Sequence, residues 1–194
     1  MCGLHEHGSA RLPSVTTAFA VFDTALGHAA VAWRDSGLVG VELPEPGAAR
    51  VRAGLLRRHP EAVEAEPPPD VAEAVERIQA LLRGEPADLS GVLLDLSTVS
   101  AFNRRVYEIA RAIPPGGTLT YGEIAERLGD LTLARAVGQA LGQNPWPVVV
   151  PCHRVLAAGG RTGGFSGRGG VGTKLKLLEI EGALAPDTLP LFAR

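Results

Sequence analysis

Cysteine is scarce: the 194 residues hold only Cys2 and Cys152. Two thiols so far apart in sequence exclude a disulfide framework and fit a reducing cytoplasm. Long apolar runs are also missing. No segment approaches the roughly 18 consecutive apolar residues that a membrane helix needs, and the opening MCGLHEHGSARLPS lacks the apolar stretch of a secretion signal. The sequence therefore reads as soluble, cytoplasmic and independent of membranes. Cys2, His5, His7 and His28 are ligand-type side chains near the N-terminus. They include a single cysteine, and the first three lie in a stretch that reads as a tail, so no metal is expected.

What is present is enough apolar material, 45% of residues, for a substantial core in one generous or two small domains. The 24 glycines and 15 prolines punctuate element boundaries rather than forming low-complexity sequence. The net charge of −2 hides an asymmetry. Residues 1–100 carry 8 basic and 14 acidic side chains, a balance of −6, while 101–194 carry 11 and 7, a balance of +4. Any contact with nucleic acid, which requires cations to displace counterions from phosphates, belongs in the C-terminal half.

From Ser14 to Pro44 the pattern predicts a three-stranded meander broken at Leu26-Gly27 and Asp35-Ser36-Gly37. Helices are expected over Ala48–Arg58 and Asp70–Arg83, separated by a Glu64–Pro69 run whose prolines cannot continue a helix. Strands followed by helices make an α+β chain with a small N-terminal α/β domain over residues 1–90 and a second domain over 91–194. Gly91–Val99 reads equally as a last strand or a linker. Beyond it, Ser100 can cap a helix carrying Phe102, Val106, Ile109, Ala110 and Ile113. Thr120-Tyr121-Gly122-Glu123 has capping-box spacing before a short helix closed by Gly129, and a third helix runs from Leu133 to about Gly142.

Two short helices joined by a tight turn in the basic half suit a helix-turn-helix as well as an ordinary helical hairpin. The second helix presents Arg135 among Ala134, Ala136, Gly138 and Ala140, one long cation amid very small side chains. Such a surface can approach nucleic acid closely.

The chemistry concentrates in Asn144-Pro145-Trp146-Pro147-Val148-Val149-Val150-Pro151-Cys152-His153-Arg154-Val155. Val148–Val150 reads as a short buried strand that delivers Cys152 at its exit. The thiolate is the attacking form of cysteine, so a nucleophile here needs a base, and His153 is the neighbour able to serve. In extended backbone the two side chains diverge, so a water or a turn must connect them. Glu179 and Glu181 are the acidic candidates for orienting the imidazole. The residues alone leave open a cysteine hydrolase, or a winged-helix regulator whose cysteine is incidental.

Pro151-Cys152-His153-Arg154-Val155, preceded by Asn144-Pro145 and Arg135-Ala136-Val137-Gly138, resembles the active-site region of the O6-alkylguanine-DNA alkyltransferases, also called methylated-DNA–protein-cysteine methyltransferases. The likeness runs from about Ser100 to Gly182. It implies a ribonuclease H-like N-terminal domain, a winged helix-turn-helix C-terminal domain, and a monomer without cofactor that acts on double-stranded DNA containing O6-alkylguanine. By the same resemblance Cys152 accepts the alkyl group once, His153 takes its proton through a water, Glu181 orients His153, and Asn144 ties the helix pair to the reactive segment. Arg135 would fill the place of a flipped nucleotide, with Ala134, Ala136 and Gly138 lying in the minor groove. Tyr121 would assist the departing guanine; Val155, Phe165, Ser166 and Lys174 would build the pocket, with Cys152 and Val155 carbonyls reading the guanine amino group.

The chain departs from that pattern in a stretch of glycines, Arg168-Gly169-Gly170-Val171-Gly172-Thr173, which reads as a lengthened, flexible loop. No cysteine-rich module precedes the first domain, which speaks against the regulatory subclass. A lesion-binding relative that senses without repairing lacks the acceptor cysteine, whereas Cys152 is present here.

Overall fold

The computed structural model describes residues 16–164 and 169–184. β1 (Ala18–Thr24), β2 (Gly27–Arg34) and β3 (Gly37–Glu45) form the expected meander. Gly27 makes its first turn possible: its φ is +115°, and a Cβ there would lie 2.4 Å from the Glu45 carbonyl oxygen. After α1 (Ala48–Arg58) the chain adds a strand that the sequence did not announce, β4 (Val63–Glu64), parallel to β1. The sheet order is β3-β2-β1-β4.

β2 is buried on both faces. Ala30 and Ala32 join Phe19, Val51 and Leu55 under α1, while Val31 and Trp33 face the opposite core. Such a strand reads as a continuous apolar run because period-2 alternation serves two cores at once. α2 (Pro69–Leu82) covers that second face with Val71, Val75, Ile78 and Leu81, starting at a proline whose missing N–H costs nothing in a first turn.

Gly91–Val99 is neither a strand nor a free linker. It is strapped to the open edge of β3, where Leu38 donates to Leu93 O and Asp95 donates to Leu38 O, at 2.9 and 2.8 Å. α3 (Ala101–Arg111) begins at Ser100, whose side chain accepts from the Asn103 N–H, as its spacing required. β5 (Leu119–Thr120) leads into α4 (Tyr121–Arg127) through a complete Thr120–Glu123 capping box. Gly129, at φ +97°, closes α4. A 3-10 turn over Leu131–Leu133 takes Leu133, the first residue assigned to the next helix, so α5 spans Ala134–Gly142. β6 (Val155–Leu156) pairs in parallel with β5, and α6 (Gly170–Ile180) follows.

Two expectations are corrected. Val148–Val150 is a tight buried turn: Val150 donates to Trp146 O at 2.7 Å, and Val148 holds a φ of +75°, a conformation that β-branched residues avoid. Paired prolines and three valines imitate a strand in composition, yet Pro147 and Val150 bridge one another. The glycine stretch is also no simple loop, because Gly170–Thr173 already form the first turn of α6, capped by Gly169 in the left-handed region. Among the described residues no helix is long and apolar enough to cross a membrane.

Candidate active site

The buried turn delivers Cys152 to the start of a 3-10 segment, Cys152–Arg154. This geometry replaces the extended backbone that would have turned His153 away. His153 is fully buried and its Nε2 lies 2.9 Å from Glu181 Oε1. Assigning the proton to Nε2 leaves Nδ1 as the acceptor, and Nδ1 has no hydrogen-bond partner among the described residues. Glu181, at the C-cap of α6, is the acid selected of the two candidates; Glu179 instead pairs with Lys176 at 2.9 Å.

Arg154 completes the assembly and was not singled out from the sequence. Its Nε donates to Glu181 Oε2 at 2.7 Å and its Nη2 to Oε1 at 2.9 Å, a fork on one carboxylate, while Nη1 donates to Ile113 O. Burial pushes the Glu181 carboxyl up, but the hydrogen bonds and charges of His153 and Arg154 outweigh it and hold it at about 2. Burial lowers His153 below the ordinary histidine value, against the opposing pull of Glu181. The resting imidazole is therefore neutral and able to take a proton. A signal for Arg154 existed: a long cation inside PVVVPCHRVL has to be buried, and a buried cation has to be paired.

Burial also raises the Cys152 thiol. A hydrogen bond from the Asn144 side chain, the Lys174 charge and the backbone N–H groups of Cys152 and His153 oppose that rise. Asn144 also supports the turn, donating to Val150 O at 2.8 Å and accepting from the Trp146 N–H at 2.9 Å. Lys174 is fully buried, donates to Val155 O at 2.6 Å, and is lowered to about 8 by its burial. Its ammonium lies 5.9 Å from the centre of the Tyr121 ring.

On its open side Cys152 meets a cleft of about 840 Å³ lined by Tyr121, Gly122, Ala134, Arg135, Gly138, Leu141, Gly142, Ala157, Ala158 and Gly164. The β5–β6 pairing fixes Tyr121 beside the Cys152 segment, and Gly138 of α5 faces the Tyr121 ring, where a Cβ would stand 3.8 Å from it, in ordinary contact. Tyr121 is raised by burial and, secondly, by facing Cys152, so its hydroxyl keeps its proton. Arg135 is exposed. Val155 and Lys174 lie beneath the cleft rather than on its wall, and Ala136 lies outside it. The Val155 carbonyl is engaged by Lys174, and the Cys152 carbonyl accepts the Val155 N–H. Phe165 and Ser166 lie outside the described residues, as do Cys2, His5 and His7. His28 pairs with Asp23 at 2.6 Å.

A thiol at a cleft floor, a neutral imidazole locked by a buried carboxylate–guanidinium pair, and an exposed helix pair at the rim define a cysteine-dependent group-transfer protein. Residues 101–183 match the family model described as the 6-O-methylguanine DNA methyltransferase, DNA binding domain. A methylated-DNA–protein-cysteine methyltransferase of Mycolicibacterium paratuberculosis is 38% identical over 170 residues, 88% of this chain and 95% of the relative. A Thermus thermophilus protein named a DNA base-flipping protein is 41% identical over 76% of this chain and 95% of its own. The crystal structure of Mycobacterium tuberculosis OGT in complex with DNA is similar at a TM-score of 0.68 and 33% identity, covering 87% of this chain and 95% of that one. The chain belongs to the methylated-DNA–protein-cysteine methyltransferase family.

Proposed function

We propose that this protein repairs DNA by direct reversal, moving the alkyl group of an O6-alkylguanine in duplex DNA irreversibly onto Cys152, once per chain. The observation that carries this reading is the Cys152 thiol set between an open cleft and the buried His153–Glu181–Arg154 group.

His153 Nδ1 accepts the thiol proton through a water, and the charge it gains is balanced by Glu181. The thiolate attacks the alkyl carbon in line, forming the carbon–sulfur bond as the carbon–oxygen bond breaks. Guanine leaves as its anion, and the Tyr121 hydroxyl is placed to donate to it. The Asn144 amide and the Lys174 charge steady the thiolate until transfer.

A thiol on this cleft floor cannot reach a base inside a duplex, so the nucleotide has to leave the stack. Likeness to a protein named for base flipping supports that step. Arg135 enters the vacated place while the small face of α5 lies in the minor groove, as in a winged helix-turn-helix. Residues 91–194 form this working domain and 1–90 a ribonuclease H-like support, in a cytoplasmic monomer that needs no cofactor.

Intact-protein mass after incubation with a duplex containing O6-methylguanine tests the reading. One methyl mass on Cys152, and never more than one, is expected. Restored guanine without a mass gain would overturn the acceptor mechanism. The Thermus relative favours a second reading, a protein that flips bases without repairing them; it predicts tight duplex binding with neither mass gain nor restored guanine.

A further inference from the structure

The N-terminal half has a balance of −6 and should be pushed away from a duplex. One corner of it is different. α1 ends in Arg57-Arg58-His59, and these residues form one wall of a second groove, of about 560 Å³, whose other wall is Leu141–Asn144 at the end of α5. Leu141, Gly142 and Cys152 line both this groove and the cleft in front of the thiol, so Gly142 stands on the ridge between them.

The cations of this corner are not equally committed. Arg58 pairs with the buried Glu42 at 2.8 Å and donates to Val41 O. Arg57 is exposed and has no hydrogen bond or ion pair among the described residues. Beside it His59 is lowered first by burial and then by the charges of Arg58 and Arg34, with Glu42 opposing; Glu42 also lines the groove but is paired with Arg58, so Arg57 is the cation of this wall left uncompensated among the described residues. Arg57 therefore lies one ridge away from the cleft in front of the thiol.

We propose that the N-terminal domain contributes directly to DNA binding, with Arg57 contacting a backbone phosphate next to the flipped nucleotide. The contact rests on the repair reading above. It adds affinity without sequence preference, since phosphates carry none.

The test compares wild type with Arg57→Glu, Arg57→Ala and Arg57→Lys in two assays: binding of an undamaged duplex across a NaCl series, and alkyl transfer from free O6-benzylguanine, which has no phosphate. Arg57→Ala should weaken duplex binding several-fold and make the slope of log K against log salt shallower by about 0.9. Arg57→Glu should weaken it further, Arg57→Lys should restore it, and transfer from the free base should stay at the wild-type rate in all three. Unchanged affinity and slope in Arg57→Glu would overturn the proposal, as would an equal loss of free-base transfer, which would place the damage at Cys152. If wild-type protein accepts no alkyl group from either substrate, the repair reading fails instead.

Discussion

The two sides of Cys152 obey opposite rules. Behind it, Glu181 and Arg154 are buried to 1% and 5% side-chain exposure and His153 to 0%, and the carboxylate is saturated by three hydrogen bonds. In front, the cleft wall is mostly glycine and alanine with Tyr121 and Leu141, and Arg135 is exposed. The buried side has lost its freedom to adapt and can therefore hold a proton acceptor in one tautomer. The open side has kept little of its own to bond, which suits a surface completed by another molecule. Substitutions behind the thiol should damage chemistry on every substrate, and those in front should damage only chemistry that requires DNA.

The most severe test removes the boundary itself. Cys152→Ala should abolish transfer to the limit of detection while duplex binding persists, because no element of the helix pair depends on the sulfur. Loss of binding together with transfer would show that the two sides are not separable.

Glu181→Gln comes next and should act on rate and stability together. Without the carboxylate His153 becomes a weaker base, and transfer from duplex and from free base should fall alike, on the order of a hundredfold. Arg154 is left as an unpaired buried cation, costing roughly 3 kcal/mol in denaturant unfolding. The pH signature has a defined sign. Glu181 is held at about 2, below its ordinary value of 4.5, so its stabilisation is present above pH 4.5 and is lost as pH falls toward 2. His153 is lowered too, so its share is present above 6.5 and is lost as pH falls below that value. Both shifts put the loss on the acid side, and the acid limb of the transfer rate should lie below 6.5. An acid limb above 6.5 would contradict the buried, neutral imidazole.

Arg135→Ala probes the open side. Transfer from duplex should slow by about tenfold, since a flipped nucleotide returns more readily to an unfilled stack. Transfer from free O6-benzylguanine should not change. A parallel loss on both substrates would give Arg135 a part in the chemistry rather than in opening the duplex.

This contrast also explains what was legible in the sequence. Caps and short helices are local, and Ser100, the Thr120–Glu123 box and Gly129 act where their spacing put them. Cys152, Tyr121 and Arg135 face one cleft because each sits at the start of a short element whose signals are nearby in sequence. The buried side is assembled from residues far apart, with Arg154 bonding both Glu181 and Ile113. Periodicity carries no information about such partners. The Val148 turn was misread because composition cannot distinguish three valines in a strand from three valines folded back under Trp146. β4, two residues long, left no pattern at all.

The smallest effect on transfer should come from Trp146, which joins the reactive turn to the N-terminal sheet without touching substrate. Its indole is 1% exposed, donates to Leu38 O on the β3 edge at 2.8 Å and meets Tyr107 edge-on at 6.1 Å. Its backbone N–H is held by Asn144, and Pro145 O accepts from the Val41 N–H at 2.8 Å. The reactive turn is thereby hung from the N-terminal sheet, while Tyr107 O–H donates to Ala140 O and ties the same corner to α5. Trp146→Phe keeps most of the apolar contact but leaves the Leu38 carbonyl with one donor fewer, so the stability cost should be about 1 kcal/mol. Free-base transfer should fall by no more than the thiol's loss of alignment, and Trp146→Ala, which also empties the site beneath the turn, should cost roughly 3 kcal/mol or more. If Trp146→Phe slowed transfer as much as Glu181→Gln, the sheet edge would have to be counted with the buried side of the cysteine rather than as its support.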